Sequence, residues 1–319
     1  MLALEKQLLF ELERFKATKN SIETVFIGGG TPSTVSPKLY RSIFSLITPL
    51  LTQDAEITTE ANPNSATKEW LEGMYALGVN RVSFGVQSFD ENKLKLLNRA
   101  HTPQMAIDAL NNADKIGFKN ISLDLIYATL GDTKELLKND IKEAFSLPIN
   151  HLSAYALTIE EGTAFEKKPQ MAKEQLELTE WIFDTIKEHG FEQYEISNFG
   201  TYRSKHNLGY WQYKEYIGAG AGAVGKYKDK RYYPNPQIEA YIEAPLKMRI
   251  EELSQEDMRL EQIFLGFRSC VGVQKELLSD EEKIKASILQ KEQKLLYQDG
   301  VFYNPDYLLA DELALFLSS

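Results

Sequence analysis

Six short β-rich runs set the frame for this chain: ETVFIG (23–28), AEITTE (55–60), NRVSFGVQ (80–87), NISLDLIY (120–127), HLSAYAL (151–157) and EQYEIS (192–197). Helical patterns fill the intervals, so these runs predict a parallel sheet, either an open doubly wound sheet or a complete or partial β/α barrel. Boundary signals agree with that alternation. Ser36-Pro37 and Thr102-Pro103 are helix N-cap pairs, and Gly78, Gly117 and Gly190 stand where helices should stop. Before the first run, Leu4, Leu8, Leu12 and Phe15 recur at helical spacing and predict an amphipathic helix over 3–16.

The polar residues favour the barrel. Thr31, Glu60, Gln87 and Asp124 lie at or just past the ends of their strands, and Thr158 and Asn198 follow the last two. In a β/α barrel such ends share one rim, where ligands bind. A dinucleotide fold would instead concentrate its fingerprint after the first strand. The first strand runs into Gly28-Gly29-Gly30, which matches neither a P-loop nor a G-x-G-x-x-G turn. From the residues alone the triplet is an anion-binding turn or only a tight turn.

Composition narrows the partners. Lys plus Arg number 36 against 46 for Asp plus Glu, a net charge of −10, which argues against nonspecific attraction to nucleic acid or an anionic membrane. The opening MLALEKQLLFELERF is interrupted by charge and reads as neither a signal peptide nor a membrane span, and no later apolar stretch is long enough to be one, so the expectation is a cytoplasmic protein. Cys270 is the only cysteine, which excludes an internal disulfide and any metal site built from several thiolates of this chain.

Past residue 200 the rhythm changes. Residues 204–227, SKHNLGYWQYKEYIGAGAGAVGKY, crowd aromatics and glycines together, and 228–250 is turn-rich. A smaller unit follows: Leu260, Ile263, Phe264 and Phe267 share one helical face, SDEEKIKASILQKEQKLLYQDG predicts a capped helix ending at Gly300, and VFYN predicts a short strand before a final helix. This is a winged-helix-like pattern, but 278–293 mixes acids with lysines and lacks the basic stripe that DNA binding needs. The expected division is 1–200, the partial barrel; 201–250, a connecting segment; and 251–319, the winged-helix-like domain.

Eight blocks together resemble one family: GGGTPS (28–33), EANP (60–63), GVQSFDENKLKLLNRAH (85–101), DLIY (124–127), LTIEEGTAF (157–165), YEISNF (194–199), HNLGYW (206–211) and FLGFRSCVGV (264–273). In this order the chain resembles the HemN/HemW family of radical S-adenosylmethionine (SAM) proteins, which contains oxygen-independent coproporphyrinogen III oxidases and related haem chaperones. The resemblance implies a radical-SAM-like partial parallel β/α barrel. It implicates Gly29, Gly30 and Thr31 along the methionine part of SAM, Glu60 at its ammonium or ribose, and Gln87, Arg99 and Asp124 on the same ligand. Taken singly, each of these side chains has a rim salt bridge or a cap as its competing reading, and for Arg99 that reading is the one charged surface groups favour. The family usually has a Gly-Leu-Pro-Gly-like turn where Ala128-Thr129-Leu130-Gly131 stands here.

Members of the family begin with a strand and a C-x-x-x-C-x-x-C loop that holds a [4Fe–4S] cluster. The chain opens in the helix that would follow that loop, so the expectation is a barrel without its first strand and without cluster ligands, either a fragment of a longer protein or a natural short form. Cys270 cannot substitute, and no reductive SAM cleavage is expected of the chain as it stands.

The haem-chaperone branch resembles the chain best, through His206, Asn207, Tyr210 and Trp211 of HNLGYW. The resemblance implies haem as a ligand, with His206 on the iron and aromatics over the porphyrin. The competing reading keeps His206 and Asn207 as loop hydrogen-bonding groups and Tyr210 and Trp211 as core. His101, His151 and His189 are weaker ligand candidates. Three functions follow: a haem-binding and haem-trafficking protein with a haem-receiving partner; a coproporphyrinogen oxidase lacking its cluster loop; or an inactive barrel that docks a partner.

Overall fold

The computed structural model describes residues 1–159, 165–173 and 176–318. Part of the LTIEEGTAF block lies outside these described residues. In chain order the elements are α1 (Leu2–Arg14), β1 (Ile22–Ile27), α2 (Arg41–Ile47), β2 (Leu51–Ala61), α3 (Lys68–Ala76), β3 (Arg81–Gln87), α4 (Glu91–Leu96), α5 (Pro103–Ile116), β4 (Asn120–Tyr127), α6 (Lys134–Ser146), β5 (His151–Ala156) and α7 (Leu176–Glu188). Then come β6 (Glu192–Gln193), β7 (Asn198–Gly200), α8 (Lys205–Trp211), β8 (Gly225–Tyr227), β9 (Lys230–Pro234), α9 (Ile238–Glu243) and β10 (Met248–Glu252). The chain closes with α10 (Gln255–Phe267), β11 (Val273–Gln274), α11 (Asp280–Lys291), β12 (Leu296–Gln298), β13 (Val301–Tyr303) and α12 (Ala310–Ser318).

The chain divides into two compact units, one comprising Met1–Glu23, Leu39–Ala55 and Ser204–Ser319, the other Thr24–Lys38 and Glu56–Arg203. The main sheet has the order β1-β2-β3-β4-β5-β7-β6, and β2 through β5 are parallel. Strands that step across in sequence without reversing are a barrel's winding, not a doubly wound sheet's, so the fold is a partial β/α barrel.

Register sorts the side chains. Val82, Phe84, Ile121, Leu123 and Leu152 are buried on one face. The other face carries polar rows across strands: Glu60, Ser83, Ser122 and His151 form one, and Asp124, Ser153 and Asn198 another. Under them, His151 shares hydrogen bonds with Ser122 (2.7 Å) and Tyr194 (2.7 Å).

The sixth predicted strand is a correction. EQYEIS does not continue the parallel sheet: β6 and β7 form an antiparallel pair, and β7 runs antiparallel to β5. Gly200 permits this, because a Cβ there would lie 2.6 Å from the carbonyl oxygens of both Asn150 and Tyr202.

In the other unit, Gln7 of α1 donates to the Gly218 carbonyl (3.0 Å) and accepts from the Gly220 amide (2.9 Å) and the Tyr241 hydroxyl (2.7 Å). Gly218 packs against Val224 so closely that a Cβ would sit 2.1 Å from its backbone, which accounts for part of the glycine-rich run. The turn-rich stretch holds β9 and the start of β10, which with β8 form a sheet of order β10-β9-β8, antiparallel throughout.

The C-terminal part has the winged-helix-like order, with the sheet β11-β13-β12 and a core that includes Ile263, Phe267, Ala286, Leu289, Phe302 and Leu313. Here too the structure corrects an expectation. The helix opened by the Ser279–Glu282 capping box ends at Lys291, not near Gly300. Asp299 and Gly300, with φ of 50° and 85°, form the two-residue turn between β12 and β13.

Candidate functional site

The strand ends of the barrel enclose a cavity of about 170 Å³, lined by residues that include Gly30, Thr31, Glu60, Asn62, Gln87 and Asp124. Each reaches it for a local reason. Gly29 and Gly30 leave β1 with φ of 76° and 64°, a left-handed backbone that glycine takes without strain. Gly28 is bare because a Cβ would lie 2.4 Å from the Phe26 ring and 3.0 Å from a Glu60 oxygen. The Gly29 amide donates to Glu60 at 3.2 Å. Gln87 ends β3 at a register irregularity with φ of 70°, and its side-chain oxygen accepts from the Tyr155 hydroxyl at 3.3 Å.

Two carboxyl groups dominate the electrostatics. Burial pushes Asp124 up to about 6, with a hydrogen bond from Ser153 opposing and the Glu60 charge adding to the rise. Glu60 is also raised by burial, against the pull of the Gly29 amide. Burial, then the charge of Asp124, raises the Tyr155 phenol, which keeps it neutral and a donor. A cavity with two raised carboxylates favours a cation, and the amides and hydroxyls beside them suit a polar, zwitterionic partner.

The structure thus brings Gly30, Thr31, Glu60, Gln87 and Asp124 to one cavity, with Gly29 hydrogen-bonded to Glu60. Arg99 is half-buried beyond α4 and is not among the lining residues, although its charge acts on Tyr155. Sequence reading missed Asn62, Ser83 and Tyr155. Asn62 lies inside the EANP block and binds Thr31 Oγ1 through its side-chain amide at 3.3 Å. Ser83 and Tyr155 were visible as the polar positions of strands that alternate, Ser83 between Val82 and Phe84 and Tyr155 between Ala154 and Ala156.

His206, Asn207, Tyr210 and Trp211 all fall on α8, in the other unit. Ser204 caps the helix by accepting from the Asn207 amide. His206 and Tyr210, one turn apart, meet edge to face at 4.9 Å with Nε2 and the hydroxyl 3.2 Å apart, and Tyr210 meets Tyr216 in the same way at 4.7 Å. The Trp211 indole N–H is buried without a hydrogen-bond acceptor among the described residues. The remaining histidines have structural surroundings: His101 bonds the Val86 carbonyl (2.9 Å), His151 lies in the buried network under the cavity, and His189 stacks on Phe145.

A barrel wound in sequence, with a polar cavity at its strand ends, is the architecture of the radical SAM superfamily, and the family model described as "Radical SAM superfamily" matches residues 4–144. The heme chaperone HemW of Lactococcus lactis subsp. lactis (strain IL1403) is 35% identical over 315 residues, covering 92% of this chain and 83% of that protein. The heme chaperone HemW of Bacillus subtilis (strain 168) is 33% identical over 295 residues, covering 87% and 77%. The chain belongs to the HemW family of radical SAM proteins. Its fold also matches the solved structure of the coproporphyrinogen III oxidase HemN from Escherichia coli, with a TM-score of 0.81 over 99% of this chain and 82% of that one; at 17% identity this is a likeness of fold alone.

The superfamily implies SAM and an iron–sulfur cluster. The cavity's donors and carboxylates fit the first. They do not fit the second: Cys270 is the single thiolate of the chain, and among the described residues no three His, Cys, Asp or Glu side chains are grouped to hold a metal ion. No helix of the described residues is long and apolar enough to cross a membrane.

Proposed function

We propose that this protein, like the relatives named heme chaperone HemW, handles haem, that it binds haem for delivery to another protein, and that its barrel binds SAM. The observation that carries the haem reading is α8. Within one seven-residue helix it holds an imidazole against a phenol ring and a buried indole N–H that lacks an acceptor among the described residues. An imidazole is a haem-iron ligand, aromatic rings cover a porphyrin, and a buried donor without an acceptor is costly until a ligand supplies one, as a propionate would. His206 would ligate the iron, Tyr210 would lie beside it, and Trp211 would donate to an acidic edge. Haem, when bound, is the cargo.

In the barrel, Glu60 and Asp124 would receive the positive groups of SAM, while Gly29, Gly30 and Thr31 would serve its methionyl end and Gln87 a polar edge. The ligand supplies a sulfonium and a zwitterionic amino acid. Ligand-sized pockets begin at about 300 Å³, so a cavity of about 170 Å³ takes the polar part of such a molecule. Coproporphyrinogen oxidation is the second reading, favoured by the fold likeness to HemN alone; docking without either ligand is the third.

A haem titration followed at the Soret band tests the conclusion. A saturable band that weakens in His206→Ala and Trp211→Phe supports haem carriage through α8. Saturable binding unchanged in both variants moves the site elsewhere, and no saturable binding overturns the reading for this chain.

A further inference from the structure

We infer that Lys93, with Asp132 and Asp140, is a positioning group for the barrel cavity: it ties the turn that ends β3 to the turn that ends β4, and so sets Gln87 against Asp124. Its functional consequence rests on the SAM reading given above; its structural content does not.

Two non-glycine residues at neighbouring strand ends have a left-handed backbone, Gln87 with φ of 70° and Ala128 with φ of 58°. Such residues persist only where their surroundings hold them. Each is followed by a turn pinned to an aspartate. After Gln87, the Phe89 amide donates to Asp140 at 2.6 Å and the Ser88 hydroxyl to the same carboxylate at 2.8 and 3.0 Å. After Ala128, the Thr129 amide donates to Asp132 at 2.9 Å. The second turn is fastened further by Leu130 donating to the Met171 carbonyl and Lys173 to that of Ala128.

Between the two aspartates lies Lys93, whose side chain is only 2% exposed; Nζ is 2.9 Å from Asp132 and 3.7 Å from Asp140. Lysine is almost never so buried unless paired, and one ammonium here faces both carboxylates. Burial pushes Asp140 up while Lys93 opposes and Asp132 adds to the rise, which is the pattern of a carboxylate that depends on the shared cation. None of the three residues lines the cavity. Their effect on a ligand passes through Gln87, which Tyr155 also holds, and through β4, which carries Asp124. The sequence offered a hint only in retrospect: Lys93 sits within the block that resembles the family, at a helical position that looks solvated.

The first test needs no ligand. In Lys93→Met, amide hydrogen exchange at Phe89 and Thr129 should accelerate by about tenfold or more while Val82 and Leu123, within the strands, keep their rates. Asp132→Asn should show the same pattern more weakly, and it serves if the methionine variant does not fold. Wild-type rates at both turns, or equal acceleration throughout the barrel, overturn the inference. The second test titrates the protein with SAM. Lys93→Met and Gln87→Ala should each weaken binding about tenfold, and the double variant should lose clearly less than the two losses combined, because they share the route through Gln87. Additive losses would show that Lys93 does not act through Gln87. If the wild type binds no SAM, the ligand reading fails while hydrogen exchange still decides whether Lys93 joins the turns.

Discussion

Asp124 retains its proton up to about pH 6 because it is buried beside a second carboxyl. A cationic ligand must compete with that proton. SAM affinity should therefore fall by about tenfold between pH 7.5 and pH 5, and Asp124→Asn should bind more weakly at neutral pH with a flatter profile; calorimetric titration at both pH values measures this. Glu195 is a different case. It is buried and pushed up to about 7 by that burial, against hydrogen bonds from Asn198 and nearby amides, and one carboxyl oxygen has no partner among the described residues. Since its folded value lies above the unfolded one, it favours the fold at low pH, and that advantage is lost as pH rises from about 4.5 through 7. Glu195→Gln should gain stability relative to the wild type as pH rises, by no more than about 3 kcal/mol at pH 8. Denaturant unfolding at pH 5 and pH 8 gives the comparison, and a difference that shrinks with pH contradicts the burial argument.

At the scale of elements, Gly200 decides whether β7 can lie against β5. Gly200→Ala places a methyl group against two carbonyl oxygens and should cost about 1–3 kcal/mol, read as a lower midpoint in denaturant. An unchanged midpoint would mean that the pairing yields at no cost. Much of the element pattern was legible in the sequence: Thr102 caps α5 by accepting from Met105, and Gly117 closes it in the left-handed region. Those signals are local, so sequence carries them. The direction of β7 was not legible, because it depends on a partner strand nearly fifty residues away. The hairpin of β12 and β13 is hidden for another reason: apolar spacing continues past the end of α11, and in sequence the Asp299-Gly300 pair is as good a helix stop as it is a turn. For the cavity, strand-end polar positions point to Thr31, Glu60, Gln87 and Asp124 and the glycine run to Gly30, while Asn62 and Ser83 escape because neither residue type is unusual beside a strand.

For the whole molecule, charge separates architecture from its usual partner. The C-terminal part has a winged-helix-like order, but α11 opens with Asp280, Glu281 and Glu282 and the chain carries a net charge of −10. Labelled duplex DNA should show no rise in anisotropy at about 10 μM protein in low salt, where nonspecific binders respond; a salt-sensitive rise would reveal a basic surface that the sequence total conceals.

The two faces of the main sheet have a consequence for how such a protein can change. Apolar side chains such as Val82, Phe84, Leu123 and Leu152 lie on one face, and Glu60, Ser83, Asp124 and Ser153 on the other. Cohesion and chemistry are therefore inherited on alternate residues of the same strands. Substitutions at one parity are screened by folding and those at the other by whatever the cavity binds, so a lineage can exchange one ligand of the cavity for another without first rebuilding the scaffold that presents it.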